Sequence, residues 1–192
     1  MLNQNIITTV ITIANDSHKL ITTKTIHNYK FIYYSSPLQK HKEEIFLLAC
    51  EYNKIEVVKL LLHYINPSIH NNLAMDLALN FELQELVMIL LKDGRINPAY
   101  ENNIAIIHAS NYGYYEIVKQ LLEDPRVNPT DRNNEAIKSA CCNGHYKVAK
   151  LLLDDGRVNT AADFYNSAFA LASNNGHTKV VELLLAYSHL VE

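Results

Sequence analysis

The sequence predicts an all-α solenoid of about five helix-turn-helix repeats behind a small, β-prone N-terminal segment. Three observations carry this. Asn66-Pro67, Asn97-Pro98 and Asn128-Pro129 recur every 31 residues, with Asn159-Thr160 in step. A small-residue column runs Ala49, Ala78, Ala109, Ala140, Ala172, and twelve residues after each lies Leu61, Leu90, Leu121, Leu152 or Leu184. Each leucine follows an apolar pair at spacings of four and three, from Val57-Val58 to Val180-Val181, which is the signature of one helical face.

Repeats of this period are sought first because they decide the whole architecture. Residues 1–40 form the N-terminal extension and 41–192 the repeat domain, with units at about 41–67, 68–98, 99–129, 130–160 and 161–192. In the extension, ITTVITI, LITTKTI and YKFIYY alternate β-branched or aromatic residues with polar ones and read as short strands of a cap. Each later unit reads as two short helices, a tight turn and an extended loop. In the fourth unit the helices are placed at about Glu135–Cys142 and Tyr146–Asp154. Helices this short are marginal in isolation, so neighbouring units must cover their apolar faces.

GHYKVAKLLLDDGRVN at 144–159 and NGHTKVVELLLA at 175–186 resemble the ankyrin repeat, with its turn Gly-His, its second helix and its trailing Val-Asn. The resemblance covers roughly 42–190 and recurs in register. It implies hairpin-like fingers between units and first helices that line a groove. The units depart from the family in being about 31 residues long, and none opens with Thr-Pro-Leu-His, so the fingers are expected to be short and poorly bonded to one another. Gly113, Gly144 and Gly176 sit where a left-handed turn residue is wanted, replaced by Asn53 in the first unit. Glu82 in the second unit either bears a steric cost or uses another turn. Pro125 in the column of Gly94 and Gly156 implies that this column does not require positive φ.

Composition agrees with a packed domain that carries no obvious chemistry. Apolar residues make up 48% and charged residues 19%, with net charge −3, so no basic stripe for nucleic acid emerges. Five Lys against one Asp make residues 1–42 basic and the remainder acidic. Cys50, Cys141 and Cys142 are odd in number and lack metal-ligand spacing, which points to a reducing intracellular compartment, cytoplasmic or nuclear. No apolar run is long enough for a membrane span, and the first residues lack a signal-peptide pattern. His145 and His177 share a column that continues as Lys54, Leu83 and Tyr114, so a structural turn role is favoured over metal ligation. The Asp93/Arg95, Asp124/Arg126 and Asp155/Arg157 columns read as an exposed ladder of weak ion pairs rather than acid–base machinery. Cys142 has no assignable base, and no phosphate-binding or nucleophile motif is present. The sequence therefore assigns no catalytic residue, no cofactor and no metal.

What remains is binding. The resemblance assigns partner contact to the fingertips and to the last turn of each first helix. The fingertip candidates are Tyr100, Glu101, Asp131, Arg132 and Phe164; the helix-end candidates are Tyr52, Phe81, Tyr112, Asn143 and Asn175. Tyr52, Phe81 and Tyr112 are aromatic in three successive units, as interface anchors are, although packing beneath the fingers would serve equally. The expected function is a non-catalytic module that binds a protein partner on the groove and fingers. The alternatives are a scaffold that self-associates through Phe169, Leu185 and Leu190 at its uncapped C-terminal end, or a substrate adaptor with residues 1–40 as docking segment.

Overall fold

A computed structural model describes the backbone of residues 24–26, 29–31, 38–158 and 162–188, and side chains over 42–158 and 166–188. Strands β1 (Lys24–Ile26) and β2 (Tyr29–Phe31) pair antiparallel, with Lys24 opposite Phe31 and Ile26 opposite Tyr29. They fall inside two of the three stretches expected to be strands; the third, ITTVITI, lies outside the described residues.

Ten helices follow among the described residues: α1 (Leu38–Glu51), α2 (Ile55–Leu61), α3 (Ile69–Asn80), α4 (Gln84–Asp93), α5 (Tyr100–Asn111), α6 (Tyr115–Leu122), α7 (Asp131–Cys142), α8 (Tyr146–Asp154), α9 (Ala162–Asn174) and α10 (Thr178–Ser188); α1 packs with α2, α5 with α6, α7 with α8 and α9 with α10. The chain divides into two compact units between Phe81 and Glu82. In the first, α1 packs against α2 and α3, and Phe46, Ile65 and Met75 are fully buried. In the second, α5, α7 and α9 form one row of neighbours and α4, α6, α8 and α10 another, with Leu86, Ile106, Ile117, Ile137 and Leu152 fully buried.

The repeat columns are the core. Ala49, Ala78, Ala109, Ala140 and Ala172 are all buried, as are Leu61, Leu90, Leu121, Leu152 and Leu184. Burying one such leucine side chain stabilises by about 1.5–3 kcal/mol. A further column, Ile65, Ile96, Val127 and Val158, is buried just ahead of each Asn-Pro or Asn-Thr.

The alanine column also closes the turn. The His145 N–H donates to the Ala140 carbonyl and the Gly144 N–H to that of Cys141; the same two bonds recur at Tyr114 and Gly113, at His177 and Gly176, and at Lys54 and Asn53. This is the Schellman closure, which needs a left-handed residue just past the helix. Gly113, Gly144 and Gly176 supply it at φ +73 to +74°, Asn53 at +51° and Glu82 at +55°. Of the two options left open at Glu82, the chain takes the strained one.

A second left-handed element was not expected. His70-Asn71-Asn72, Glu101-Asn102-Asn103 and Arg132-Asn133-Asn134 all lie at φ +48 to +64°, one left-handed turn at the head of α3, α5 and α7. In α7 the right-handed helix therefore begins at Glu135, where the sequence placed it. Asn tolerates this backbone region best among residues bearing a side chain, because its short amide can bond locally. The short fingers are thus Asn-Pro turns that run into a left-handed turn.

Two predictions follow from burial and backbone. Ala140→Leu should overpack the fourth pair and cost about 1–3 kcal/mol, read as a lowered thermal midpoint; an unchanged melt would contradict the burial. Glu82→Gly should relieve a left-handed non-glycine residue and raise stability by about 1 kcal/mol in the same assay.

Candidate functional site

Each Asn-Pro begins with a side chain that folds back on its own backbone. Asn66 Oδ1 accepts from the Ser68 N–H at 3.1 Å, Asn97 Oδ1 from Ala99 and Asn128 Oδ1 from Thr130 at the same distance. These are Asx turns, with proline fixing the intervening φ. Pro67, Pro98 and Pro129 are buried beneath the loop.

The third member of each left-handed triplet is buried, and Asn103 shows what that does. Its Oδ1 accepts the Asn128 N–H at 2.9 Å and its Nδ2 donates to Asp131 Oδ2 at 2.5 Å, so one amide ties a finger to the next. Asp131, expected at a fingertip for a partner, is spent on this bridge and also accepts from Asn128 Nδ2. Arg132 remains exposed while its Nη2 donates to the Glu101 carbonyl at 2.8 Å.

The turn histidines form the second tie. His145 Nε2 lies 2.9 Å from the Asn111 carbonyl and His177 Nε2 2.9 Å from that of Cys142. A carbonyl only accepts, so each Nε2 carries the proton. Each ring also lies on the preceding turn glycine: a Cβ on Gly113 would stand 2.6 Å from His145 Nδ1, and one on Gly144 2.5 Å from His177 Nδ1. Gly176 has nothing within 4 Å of that position. The structural reading of this histidine column is what the geometry shows.

The Asp–Arg columns are two-residue forks rather than a ladder between units. Arg95 Nε and Nη2 reach Asp93 at 2.6 and 2.7 Å, Arg157 reaches Asp155 at 2.6 and 2.9 Å, and Arg126 grips Asp124 similarly. Arg126 holds the Asp124 carboxyl below the usual carboxylate range. Arg157 also crosses between pairs, donating to the Leu122 and Val127 carbonyls at 2.9 and 2.8 Å. At Gly94 and Gly156 the backbone is left-handed while at Pro125 it is not, so the column uses positive φ without requiring it, as the proline implied. Pro125 takes another route: Asp124 Oδ1 accepts the Arg126 N–H at 2.9 Å, an Asx turn across the proline.

Against this framework the candidate contact residues separate. Tyr52, Phe81 and Tyr112 are 41%, 54% and 42% exposed, at the same register in three successive repeats. Tyr100 is only 6% exposed, which corrects its placement at an open fingertip; its ring belongs to the core beside the buried Asn103. Asn143 and Asn175 are exposed, but their amides are engaged: Asn143 Nδ2 donates to Asn111 Oδ1 and the Ser139 carbonyl at 3.0 Å, and Asn175 Nδ2 to the Cys142 carbonyl at 2.9 Å. Glu101 is exposed. Phe164 lies in the first turn of α9, its side chain outside the described residues. Leu185 is half exposed on α10, Phe169 is partly buried, and Leu190 lies outside the described residues.

Sequence reasoning missed a cluster around Tyr112. His108 stacks on Tyr112 with centroids 4.6 Å apart, Tyr112 stacks on Tyr114 at 5.6 Å, and the Tyr114 hydroxyl donates to Glu82 Oε2 at 3.3 Å. Burial, then the nearby Glu82 charge, push the Tyr114 phenol up; burial lowers His108. The signal available in the sequence was the i, i+4 spacing of His108 and Tyr112. Among the described residues, no group of three or more His, Cys, Asp or Glu could hold a metal ion, and no helix is long and apolar enough to cross a membrane.

Helix pairs joined by left-handed turns, tied by Asn and His side chains and repeating every 29 to 32 residues, define a helix-turn-helix repeat protein. The family model for ankyrin repeats in three copies matches residues 77–163, and that for a single ankyrin repeat matches 45–72. The chain belongs to the ankyrin-repeat family, whose members are generally protein–protein interaction modules. No curated protein matches the chain.

The glycine contacts give a graded prediction. Gly144→Ala should cost about 1–2 kcal/mol for the left-handed backbone and about 1–3 kcal/mol more for displacing His177. Gly176→Ala should cost only the first amount. Thermal denaturation of the two variants measures the difference, and equal costs would remove the role given to the His–Gly contact.

Proposed function

We propose that this chain is a non-catalytic binding module that takes a protein partner through the aromatic residues at the ends of its first helices. The exposure of Tyr52, Phe81 and Tyr112 carries the reading. Rings of this size are normally buried, and each leaves two-fifths or more of its surface to solvent at one repeated position. Truncating an interface anchor of this kind typically costs at least about 2 kcal/mol of binding, roughly thirtyfold.

The cysteines fit the same reading. Burial pushes the Cys50 and Cys141 thiols up to about 12, so neither supplies a thiolate nucleophile near neutral pH. Thiols kept in this state suit a reducing intracellular compartment.

The test recovers a partner with the intact protein and compares Tyr52→Ala, Phe81→Ala and Tyr112→Ala with the exposed-lysine variant Lys147→Ala. Each aromatic variant should melt like the parent and lose about thirtyfold or more in affinity, while Lys147→Ala binds normally. Asn143 and Asn175 are unsuitable as neutral controls, since their amides bond to the preceding repeat. Normal binding by all three aromatic variants would overturn the proposal. Light scattering on the same proteins separates it from self-association through α10, where Leu185 is half exposed.

A further inference from the structure

The cluster around Tyr112 holds more than an exposed ring. Glu82 stands where three other repeats place glycine and one places asparagine, and it keeps the left-handed backbone at φ +55°. Strain of this kind at a single repeat is an outlier that asks what the side chain does. Its carboxylate accepts the Tyr114 phenol, and among the described residues no Lys or Arg pairs with it. Tyr114 stacks on Tyr112, whose ring is 42% exposed.

Glu116 is exposed in the first turn of α6, two residues beyond Tyr114. His108, stacked on the other tyrosine, has its pKa lowered by burial, with the Glu82 charge opposing. His145, over Gly113, has its Nε2 proton committed to the Asn111 carbonyl.

Stacked tyrosines beside an unneutralised carboxylate recognise a flat cation. A guanidinium is planar, weakly hydrated and forked, so it can lie against an aromatic ring while donating to a carboxylate. An ammonium is a compact, strongly hydrated charge that matches only part of this arrangement. Resting on the interaction-module reading above, we infer that Glu82, Tyr112 and Tyr114 form a seat for an arginine side chain of the protein partner. Tyr112 and Tyr114 supply the stacking surface, and Glu82 accepts the guanidinium N–H groups. The strained glutamate is then retained for binding, at the expense of a turn that glycine would make without strain.

The experiment titrates the full chain with N-acetyl-arginine amide and follows the ring resonances of Tyr112 and Tyr114 by NMR. N-acetyl-citrulline amide, which keeps the shape and loses the charge, and N-acetyl-lysine amide are the comparison probes. Saturable shifts at both rings are expected with arginine, and binding roughly tenfold or more weaker with citrulline, because a charge-assisted hydrogen bond is lost. Glu82→Gln should weaken arginine by a similar factor. Glu82→Gly should do the same while melting at a higher temperature, so that loss of binding cannot be assigned to loss of fold. Arginine binding no better than citrulline or lysine, or as well to Glu82→Gln as to the parent, would overturn the seat. If the seat fails while Tyr112→Ala still abolishes partner capture, the module reading stands without it. If capture is insensitive to all three aromatic variants, it is the module reading that falls.

Discussion

One carbonyl per repeat sets the geometry of everything around it. In four of the five repeats the alanine of the small-residue column accepts the N–H that closes the turn, from Lys54, Tyr114, His145 or His177. The same residue packs with its methyl fully or almost fully buried. A larger side chain would press into the neighbouring pair, and a missing closure would release the angle between the two helices. Because helices of 7 to 14 residues gain little stability by themselves, the closure and the packing must be satisfied together. The leucine column, twelve residues on, then meets its neighbours in a fixed position.

Polar atoms are used sparingly and in fixed roles. Asn-Pro turns close on themselves, buried Asn103 bridges two fingers, and His145 and His177 cover the glycines of the preceding turn. Once these are assigned, few large side chains are left outside the framework. Tyr52, Phe81 and Tyr112 stand out because each leaves two-fifths or more of its surface to solvent, and that is why binding is sought there. The Asn residues that continue their column have been absorbed into the framework instead.

The apolar framework was legible in the sequence because it follows from periodicity alone. The Ala and Leu columns, the helix bounds of the fourth unit and the turn glycines all rest on spacings of three, four and about 31. The left-handed triplets were not legible, although the Asn pairs at 71–72, 102–103 and 133–134 were in plain view. Local rules admit single left-handed residues rather than three in succession, and the tie that Asn103 makes to the next finger joins residues 25 and 28 apart. Tyr100 was misplaced as well: it precedes the unexpected left-handed turn, and it is buried where a loop tip was expected. The cluster of Glu82, Tyr114, Tyr112 and His108 joins residues from two repeats, and no local pattern announces it.

Those ties between successive pairs in the second unit that end on main chain share a direction. His145, His177, Asn175, Arg132 and Arg157 all donate from the later pair to a main-chain carbonyl of the earlier one. A main-chain carbonyl is present whatever residue carries it, so these five ties ask no particular side chain of the earlier pair, unlike the bonds that Asn103 makes to Asp131 and Asn111 to Asn143. The later pair must bring its own donors. Sequence drift is therefore tolerated unequally on the two sides of each seam, and an array of this kind is more easily lengthened by duplicating a donor-bearing pair downstream than by remodelling the one it docks on.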